Sequence, residues 1–219
     1  LGEEVPLHVR VEVCTYAGYA LARMGQADGA EALEQAVELA APHLPSRALS
    51  AALSKARLTT ATVVELDRCH TLLERAGPHM GRIQRAVDTA DLAVILLDHG
   101  QVEEAWELLH APRQVLWQHH RRMLSTLLTN AAVRLLDHPE RALELMEQVG
   151  EPTSAHQIAF VTSVARRDAA AVARLPDGLR EIAQAFLAGE PVPALGPWHE
   201  TYKGLRNVQK RVTSSQHPV

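Results

Sequence analysis

The sequence has little cysteine and few aromatic residues. Its two cysteines, Cys14 and Cys69, stand alone and form no CxxC pair, so they indicate neither a disulfide framework nor a zinc site. This pattern favours a reducing, cytoplasmic setting. Aromatic residues make up 4% of the chain, and β-branched residues nowhere alternate with polar ones for long, whereas half-buried strands depend on that alternation. A β-sheet domain is therefore not expected.

Long apolar runs and an excess of one charge are also missing. No apolar stretch approaches the roughly 20 residues that span a bilayer, and residues 1–6 lack the basic and apolar regions of a signal peptide. The 22 basic and 26 acidic side chains are interspersed and give a net charge of -4. This charge does not indicate nucleic acid or a membrane as a partner. The start at Leu1 rather than methionine fits either a trimmed piece of a longer protein or a cloning choice.

Motifs for catalysis and for metal binding are not found. The sequence contains no GxSxG elbow, no GxxxxGK[ST] loop and no HExxH. Glu31, Glu34 and Glu38 share one helical face, which is typical of solvated surface. Among the 12 histidines, His119 and His120 are adjacent and would point about 100° apart on a helix. We therefore expect no enzyme, no metal site and no cofactor.

Alanine and leucine recur at helical spacing along the chain and predict an all-α protein. Between residues 9 and 24 the apolar positions follow steps of three and four. They form one predicted helix face, made of Val9, Val13, Tyr16, Ala17, Ala20, Leu21 and Met24. A second helix is predicted from Ala30 to Ala41 and ends at Pro42. Two helices so close in sequence lie antiparallel, so this segment predicts a helical hairpin.

Three further hairpins are predicted in the first part of the chain. The second and third lie between residues 46 and 111. The fourth pairs one continuous helix, from about Arg113 to Leu136, with a helix that begins at Pro139, where a proline suits the first helical turn. Residues 1–150 are therefore predicted to form an array of helical hairpins.

The rest of the chain departs from this pattern. Residues 151–188 contain shorter helices, as expected of a region that caps a helical array. The three prolines and two glycines of residues 189–197 predict a linker, and residues 198–212 predict a final helix ahead of a frayed tail. This helix is expected to dock through four side chains, Trp198, Tyr202, Leu205 and Val208.

The small residues near the hairpin turns resemble those of the tetratricopeptide repeat. Five residues are similar in spacing to that family's small residue, large apolar residue, turn glycine, packing alanine and terminal proline: Gly18, Leu21, Gly25, Ala30 and Pro42. Two later sets repeat part of the pattern, Ala93, Leu96, Gly100 and Ala105, and more weakly Ala132, Leu135 and Ala142. No repeat has the family's early tryptophan. The resemblance implies an α-solenoid of about four to five antiparallel helical hairpins with a C-terminal capping region.

A solenoid of this kind implies a concave groove that binds a peptide or a partner helix. Four residues are predicted to bind a partner there, Tyr19, Arg23, Asn130 and Arg134. We therefore expect a non-enzymatic protein-interaction module whose partner is a protein or peptide. By analogy of fold alone, such a module fits the regulatory or sensor part of a larger bacterial transcription or signalling regulator.

Two other functions stay open. A cavity lined by Trp106, Trp117 and His120 would make the chain a small-molecule sensor or an unfamiliar enzyme. Self-association through the end of the array or through the C-terminal helix would make it a homo-oligomer. Basic residues are concentrated at 113–122 and 203–211, but both groups are short and lie beside acidic helices, so direct nucleic-acid binding is not expected.

Overall fold

The computed structural model describes four stretches of the chain: 5–59, 61–149, 155–193 and 199–216. Within them every regular element is a helix and none is a strand, which confirms the predicted all-α class. The chain divides into two compact units, Leu1–Ile95 and Leu96–Val219. This division falls inside a helix, so it does not coincide with the boundary predicted after residue 150.

The first unit is built from helices joined by short turns. Their bounds are α1 Leu7–Arg23, α2 Asp28–Ala40, α3 Pro45–Leu58, α4 Val63–Ala76 and α5 Arg82–Asp98, with a 3₁₀ turn at Gly77–His79. Neighbours along the chain pack on one another, α1 on α2, α2 on α3 and α3 on α4, and α1 also contacts α3. Short turns between packed helices produce this order, because each helix must fold back along the one before it.

The second unit begins with the last residues of α5 and continues through shorter helices. Their bounds are α6 Val102–Leu108, α7 His110–His119, α8 Arg121–Val133, α9 Pro139–Glu147, α10 Ala155–Ala165, α11 Ala169–Ala173, α12 Asp177–Ala188 and α13 His199–Gln216. Helix α10 packs on α8, α9, α11 and α12, and α13 packs on α8 and α12. Leu128, Leu135 and Phe160 are fully buried in this unit.

The face that α1 buries differs from the predicted one. Val13, Tyr16 and Met24 were expected to face the core, but they are 61%, 74% and 64% exposed. The buried residues of α1 are instead Val11 and Gly18. The spacing of apolar residues does not reveal this face, because glycine has no side chain and is not scored as apolar. Glycine nevertheless allows the closest approach between two helices.

Two glycines set the spacing of α1 and α2. A Cβ added to Gly29 would lie 2.2 Å from the backbone nitrogen of Ala22, and one added to Gly18 would lie 2.9 Å from the backbone oxygen of Gly29. Both positions therefore require glycine for steric reasons. The close contact lies at Gly29 and not at Ala30, the position predicted as the packing alanine, which is only partly buried.

The long helix predicted from Arg113 to Leu136 is interrupted. Helix α7 ends at His119 and α8 begins at Arg121, with His120 between them at φ -148°. Residues 117–123 are all exposed, so no buried contact supports a continuous helix across them. An isolated helical turn is marginal in water, which explains why the chain bends at this point.

The C-terminal helix is longer than predicted. Helix α13 extends to Gln216, four residues beyond the end predicted at Val212. Leu205 and Val208 are fully buried, which confirms two of the four predicted docking residues. Trp198 and the side chain of Tyr202 lie outside the described residues, as do residues 194–197 of the predicted linker.

Candidate binding cleft

An open cleft of about 660 Å³ lies in the second unit. Its walls come from the turn before α9, the end of α10 and the turn that follows it, the end of α12, and one side of α13. Segments that are far apart in sequence therefore meet here. We call this site the second-unit cleft.

Charged and polar contacts hold helix α13 against the C-terminal end of α5 and the turn before α9. Arg211 donates from Nε and Nη2 to the two carboxylate oxygens of Asp137, each at 2.8 Å, and from Nη1 to the backbone oxygen of Leu97 at 2.8 Å. Asn207 donates to Asp98 Oδ1 at 2.6 Å. These bonds satisfy a guanidinium and two carboxylates that are largely removed from water, and charged groups are stable there only when paired.

Helices α13 and α8 also approach each other closely. Gly204 is buried, and a Cβ added to it would lie 2.8 Å from Val133 Cγ1 and 3.3 Å from Arg134 Cγ. Any larger residue would push α13 away from α8. Gly204 and the contacts of Asn207 and Arg211 therefore fix the position of the wall that α13 contributes to the cleft.

The floor and walls of the cleft are partly apolar. Val164 and Val208 are buried beneath it, whereas Leu187 and Val212 remain 38% and 41% exposed on its surface, next to Phe186. Exposed apolar side chains grouped in a concavity are typical of binding sites, because their burial by a partner releases water from apolar surface.

The rim of the cleft is cationic. Arg167, Arg206 and Lys210 line it, and all three are exposed. The acidic residue in the lining is Asp137, whose carboxylate is already engaged by Arg211. The exposed charged side chains of the lining are therefore cationic.

Arg167 has an unusual backbone conformation. Its φ is +52°, in the left-handed region that glycine or asparagine ordinarily occupies after a helix. The turn has the bonds of a Schellman motif, since Arg167 N–H donates to Val164 O and Asp168 N–H donates to Ser163 O. No pattern in the sequence indicates that an arginine would adopt this conformation.

The predicted groove residues fall into both units. In the first unit Arg23 lies over the ring of Tyr19 at 5.9 Å from its centroid, and Arg23 is exposed. In the second unit Arg134 is only 2% exposed. It donates from Nε to Asp98 Oδ1 at 2.8 Å and from Nη1 to the backbone oxygen of Asn130 at 3.0 Å. In this arrangement Arg134 supports α13 and is not accessible to a partner.

The basic cluster predicted at 203–211 is divided between two roles. Arg211 points inward to Asp137, whereas Arg206 and Lys210 line the cleft. The other basic cluster is divided in the same way, since Arg113 is buried and pairs with Glu144 at 3.0 Å, and Arg121 lies over the ring of Trp117. Sequence position alone did not separate structural from exposed arginines.

The two tryptophans predicted to line a small-molecule cavity have different surroundings. Trp106 is covered by the guanidinium groups of Arg113 and Arg141, at 4.8 and 5.2 Å from its ring centroid. Trp117 lines a separate shallow pocket that Trp106 and His120 do not line. Cation–π contacts thus give Trp106 a structural role.

Glu34, one of the carboxylates predicted to lie on a solvated surface, belongs to a charged cluster in the first unit. Lys55 Nζ lies 2.7 Å from both Glu34 Oε2 and Glu65 Oε1, and Arg68 pairs with Glu34. The hydrogen bond from Lys55, followed by the bond from the backbone N–H of Thr62, lowers the pKa of Glu65 to about 2. Glu34 therefore belongs to a network that joins α2, α3 and α4, and each carboxylate in it is neutralised by a cation.

Other reactive side chains are shielded or isolated. Cys69 is buried, which raises the pKa of its thiol to about 11 and keeps it protonated and unreactive. Cys14 is partly exposed beside Gln35. In the described part of the chain no three His, Cys, Asp or Glu side chains are grouped so that they could bind a metal ion.

None of the helices in the described stretches has both the length and the apolar character needed to cross a membrane. No protein-family model matches the sequence, and comparison with curated proteins and with solved structures finds no match.

Proposed function

We propose that this chain is a non-enzymatic protein-interaction module that binds a peptide or helix of a partner protein in the second-unit cleft. The observation that carries the proposal is the combination, in one open concavity, of the exposed side chains of Leu187 and Val212 with a cationic rim. Apolar anchors surrounded by polar contacts are the usual arrangement of peptide-binding surfaces.

The polar groups that line the cleft support binding rather than catalysis. The carboxylate of Asp137 accepts two bonds from Arg211, so it is not poised as a general base. The hydroxyl of Thr213 donates within α13, to the backbone oxygens of Gln209 and Lys210, and an activated nucleophile requires a base beside it. The remaining charged groups of the lining are cations, which orient a ligand through charge and hydrogen bonds.

The wider role follows from the helical architecture. Packed neighbouring helices in the first unit and the tetratricopeptide-like spacing of small residues are consistent with an α-solenoid of about four to five hairpins. Such arrays serve as binding modules within larger proteins. We extend the proposal to the regulatory part of a bacterial transcription or signalling protein in the cytoplasm, on the analogy of fold alone. In this proposal Tyr19 and Arg23 offer a second surface, on the first unit.

A small-molecule sensor is the second candidate. The volume of about 660 Å³ falls within the range of about 300–1,000 Å³ that is common for ligand sites. A small organic anion with an apolar body would use the same cations and the same apolar wall. The cleft is open along one side, which favours a chain segment over a small enclosed molecule.

The proposal is tested by affinity capture from a lysate of the source organism. Wild type is compared with a Leu187→Asp/Val212→Asp variant, which places charge on the cleft wall at two positions that are already partly exposed. Val64→Asp is the matched control, because Val64 lies on α4 of the first unit and is 76% exposed. A protein retained by wild type and by the control, and lost from the cleft variant, supports the proposal.

Equal retention by all three proteins would contradict it. Circular dichroism and thermal unfolding establish that the variants are folded. Mass spectrometry of the purified chain under native conditions addresses the second candidate. A small molecule that co-purifies with wild type and is missing from the cleft variant would favour the sensor.

A further inference from the structure

We infer that the exposed face of α1 binds a second copy of this chain, with the two α1 helices packed antiparallel about a twofold axis. The inference goes beyond the proposed function and concerns the first unit, not the second-unit cleft. It gives a role to apolar side chains of α1 that the fold leaves in contact with solvent.

The apolar face of α1 is the first step. Five exposed residues at steps of three and four form what we call the α1 stripe: Val13, Tyr16, Ala17, Ala20 and Met24. Helix α1 packs on α2 and α3 through its opposite side, where Val11 and Gly18 are buried. A continuous apolar stripe that no helix of its own unit covers is typical of a surface that binds another protein.

The order of small and large side chains is the second step, because the stripe has nearly the same pattern from either end. Val13 and Met24 mark its two ends, and Ala17 and Ala20 lie symmetrically between them. An antiparallel copy therefore sets Val13 opposite Met24 of the second copy, and Ala17 opposite Ala20 of the second copy. The two alanines let the helix axes approach closely at the centre, and Tyr16 lies near the small Ala20 of the second copy.

The charges at the two ends favour the antiparallel direction. Arg10 is exposed near the Val13 end, and Asp28 is exposed in the first turn of α2, near the Met24 end. An antiparallel copy brings Arg10 of each chain to the end that carries Asp28 of the other. A parallel copy would instead place like charges at the same end. Complementary charges of this kind orient two surfaces as they meet.

The area of the stripe indicates how tightly two copies associate. From the exposed fractions of its side chains, covering the stripe on both copies removes on the order of 1,000 Å² from water, near the lower limit for a specific interface. We therefore expect a dimer that is in reversible equilibrium with the monomer at micromolar concentrations.

The experiment is sedimentation velocity of the full chain from about 1 to about 300 µM. We expect the weight-average mass to rise from that of the monomer toward that of the dimer. Val13→Asp places a carboxylate in the contact twice and should raise the dissociation constant roughly tenfold or more. Val64→Asp is the matched control, because Val64 is also an exposed valine of the first unit, at 76%. It should change the dissociation constant by less than about twofold.

A mixture of two variants tests the antiparallel packing. Met24→Lys alone should also weaken the dimer roughly tenfold or more. When the Val13→Asp and Met24→Lys proteins are mixed, the new carboxylate of one chain lies opposite the new ammonium group of the other, and the second Val13–Met24 contact is unchanged. We expect the mixture to associate roughly threefold or more tighter than either variant alone. In a parallel pair the two new charges would not meet.

The other outcomes each contradict a different part of the inference. A strictly monomeric chain over the whole concentration range would overturn it, and so would a dimer that Val13→Asp and Val64→Asp affect equally, since its contact would lie elsewhere. A dimer weakened by Val13→Asp but not restored in the mixture would overturn the antiparallel packing. A monomeric chain that loses a captured lysate protein on Val13→Asp would assign the stripe to a different protein.

Circular dichroism and thermal unfolding establish that each variant is folded. None of these measurements involves the second-unit cleft, so a failure of the inference leaves the proposed function to its own capture experiment.

Discussion

Arg211 and Asp137 form a two-bonded ion pair that joins the last helix to the turn before α9. Arg211 Nε lies 2.8 Å from Asp137 Oδ2, and Nη2 lies 2.8 Å from Oδ1. Both side chains are less than one-fifth exposed. Two parallel hydrogen bonds make this ion pair stronger and more specific in geometry than a single surface contact. The pair fixes one wall of the second-unit cleft.

Asp137→Asn should loosen α13. The substitution removes the charge that compensates a largely buried guanidinium, and we expect a loss of about 1–3 kcal/mol in the free energy of unfolding. Hydrogen exchange measured by mass spectrometry should show faster exchange in residues 203–213. Asp177→Asn is the control, because the Asp177–Arg180 pair is exposed and should contribute less than about 1 kcal/mol. Equal effects of the two substitutions would contradict the role given to Arg211.

Gly204→Ala should displace α13 even though alanine favours helix formation. In a helix interior the change is ordinarily stabilising by about 0.5–1 kcal/mol. Here the new methyl group would lie 2.8 Å from Val133 Cγ1, so overpacking is expected to outweigh that gain, with a net loss of about 1–2 kcal/mol. Urea unfolding measures the change. In a double-mutant cycle with Val133→Ala, part of the loss should be recovered, and strict additivity would show that the two residues do not clash.

Gly29→Ala should disrupt the α1–α2 contact. Its Cβ would lie 2.2 Å from the backbone nitrogen of Ala22, and backbone atoms cannot move aside without separating the helices. We expect a loss of about 3 kcal/mol in the free energy of unfolding, at the upper end for overpacked sites. Gly81→Ala is the control, because no atom lies within 4 Å of its added Cβ, and it should cost less than about 1 kcal/mol.

Asp88→Asn should stabilise the protein at neutral pH. Burial raises the pKa of Asp88 from 3.8 to about 6. A hydrogen bond from Gln84 opposes this rise, and the nearby charge of Asp91 adds a smaller contribution to it. The pKa of Asp88 is higher in the folded state than in the unfolded state. The stability that the protonated carboxyl contributes is therefore fully present below about pH 4 and is lost as the pH rises through about 6. The variant should therefore gain about 1–3 kcal/mol at pH 7 and nothing below about pH 4.

Thermal unfolding from pH 3.5 to 7.5 measures this difference. Asp67→Asn is the control, since Asp67 is exposed on α4 and a surface substitution should change stability by less than about 0.5 kcal/mol. A gain at pH 7 that persists unchanged at pH 3.5 would show that the ionisation of Asp88 is not its cause.

Most helices could be predicted from the sequence, because local signals mark their ends. Pro139 begins α9 in the structure as predicted, in the first helical turn. Gly25 follows α1 and Gly100 follows α5, and both have positive φ. Glycine commonly adopts this left-handed conformation directly after a helix ends. The break at His120 was missed because no glycine or proline marks it, and its cause is the lack of buried contacts over residues 117–123.

The candidate site was predicted only in fragments. The basic cluster at 203–211 was noticed in the sequence, but nothing in that segment indicates that it meets the turn at Arg167. Arg134 was predicted to bind a partner, whereas it is buried against Asp98. The partner-binding roles predicted for Tyr19, Arg23 and Asn130 stay predictions. An arginine has the same sequence signal whether its guanidinium faces a neighbouring carboxylate or the solvent.

The sequence by itself determined that this protein is helical, where most of its helices begin and end, and which of them follow each other closely enough to pack as neighbours. These properties depend on interactions within a few residues, such as capping, turn conformation and apolar spacing. Only the tertiary structure decided which face of α1 is buried, that α13 lies on α8, and that Arg167 shares a cleft with Arg206 and Lys210. Those outcomes depend on close approaches at Gly29 and Gly204 and on an ion pair between residues 74 positions apart, which no local pattern encodes.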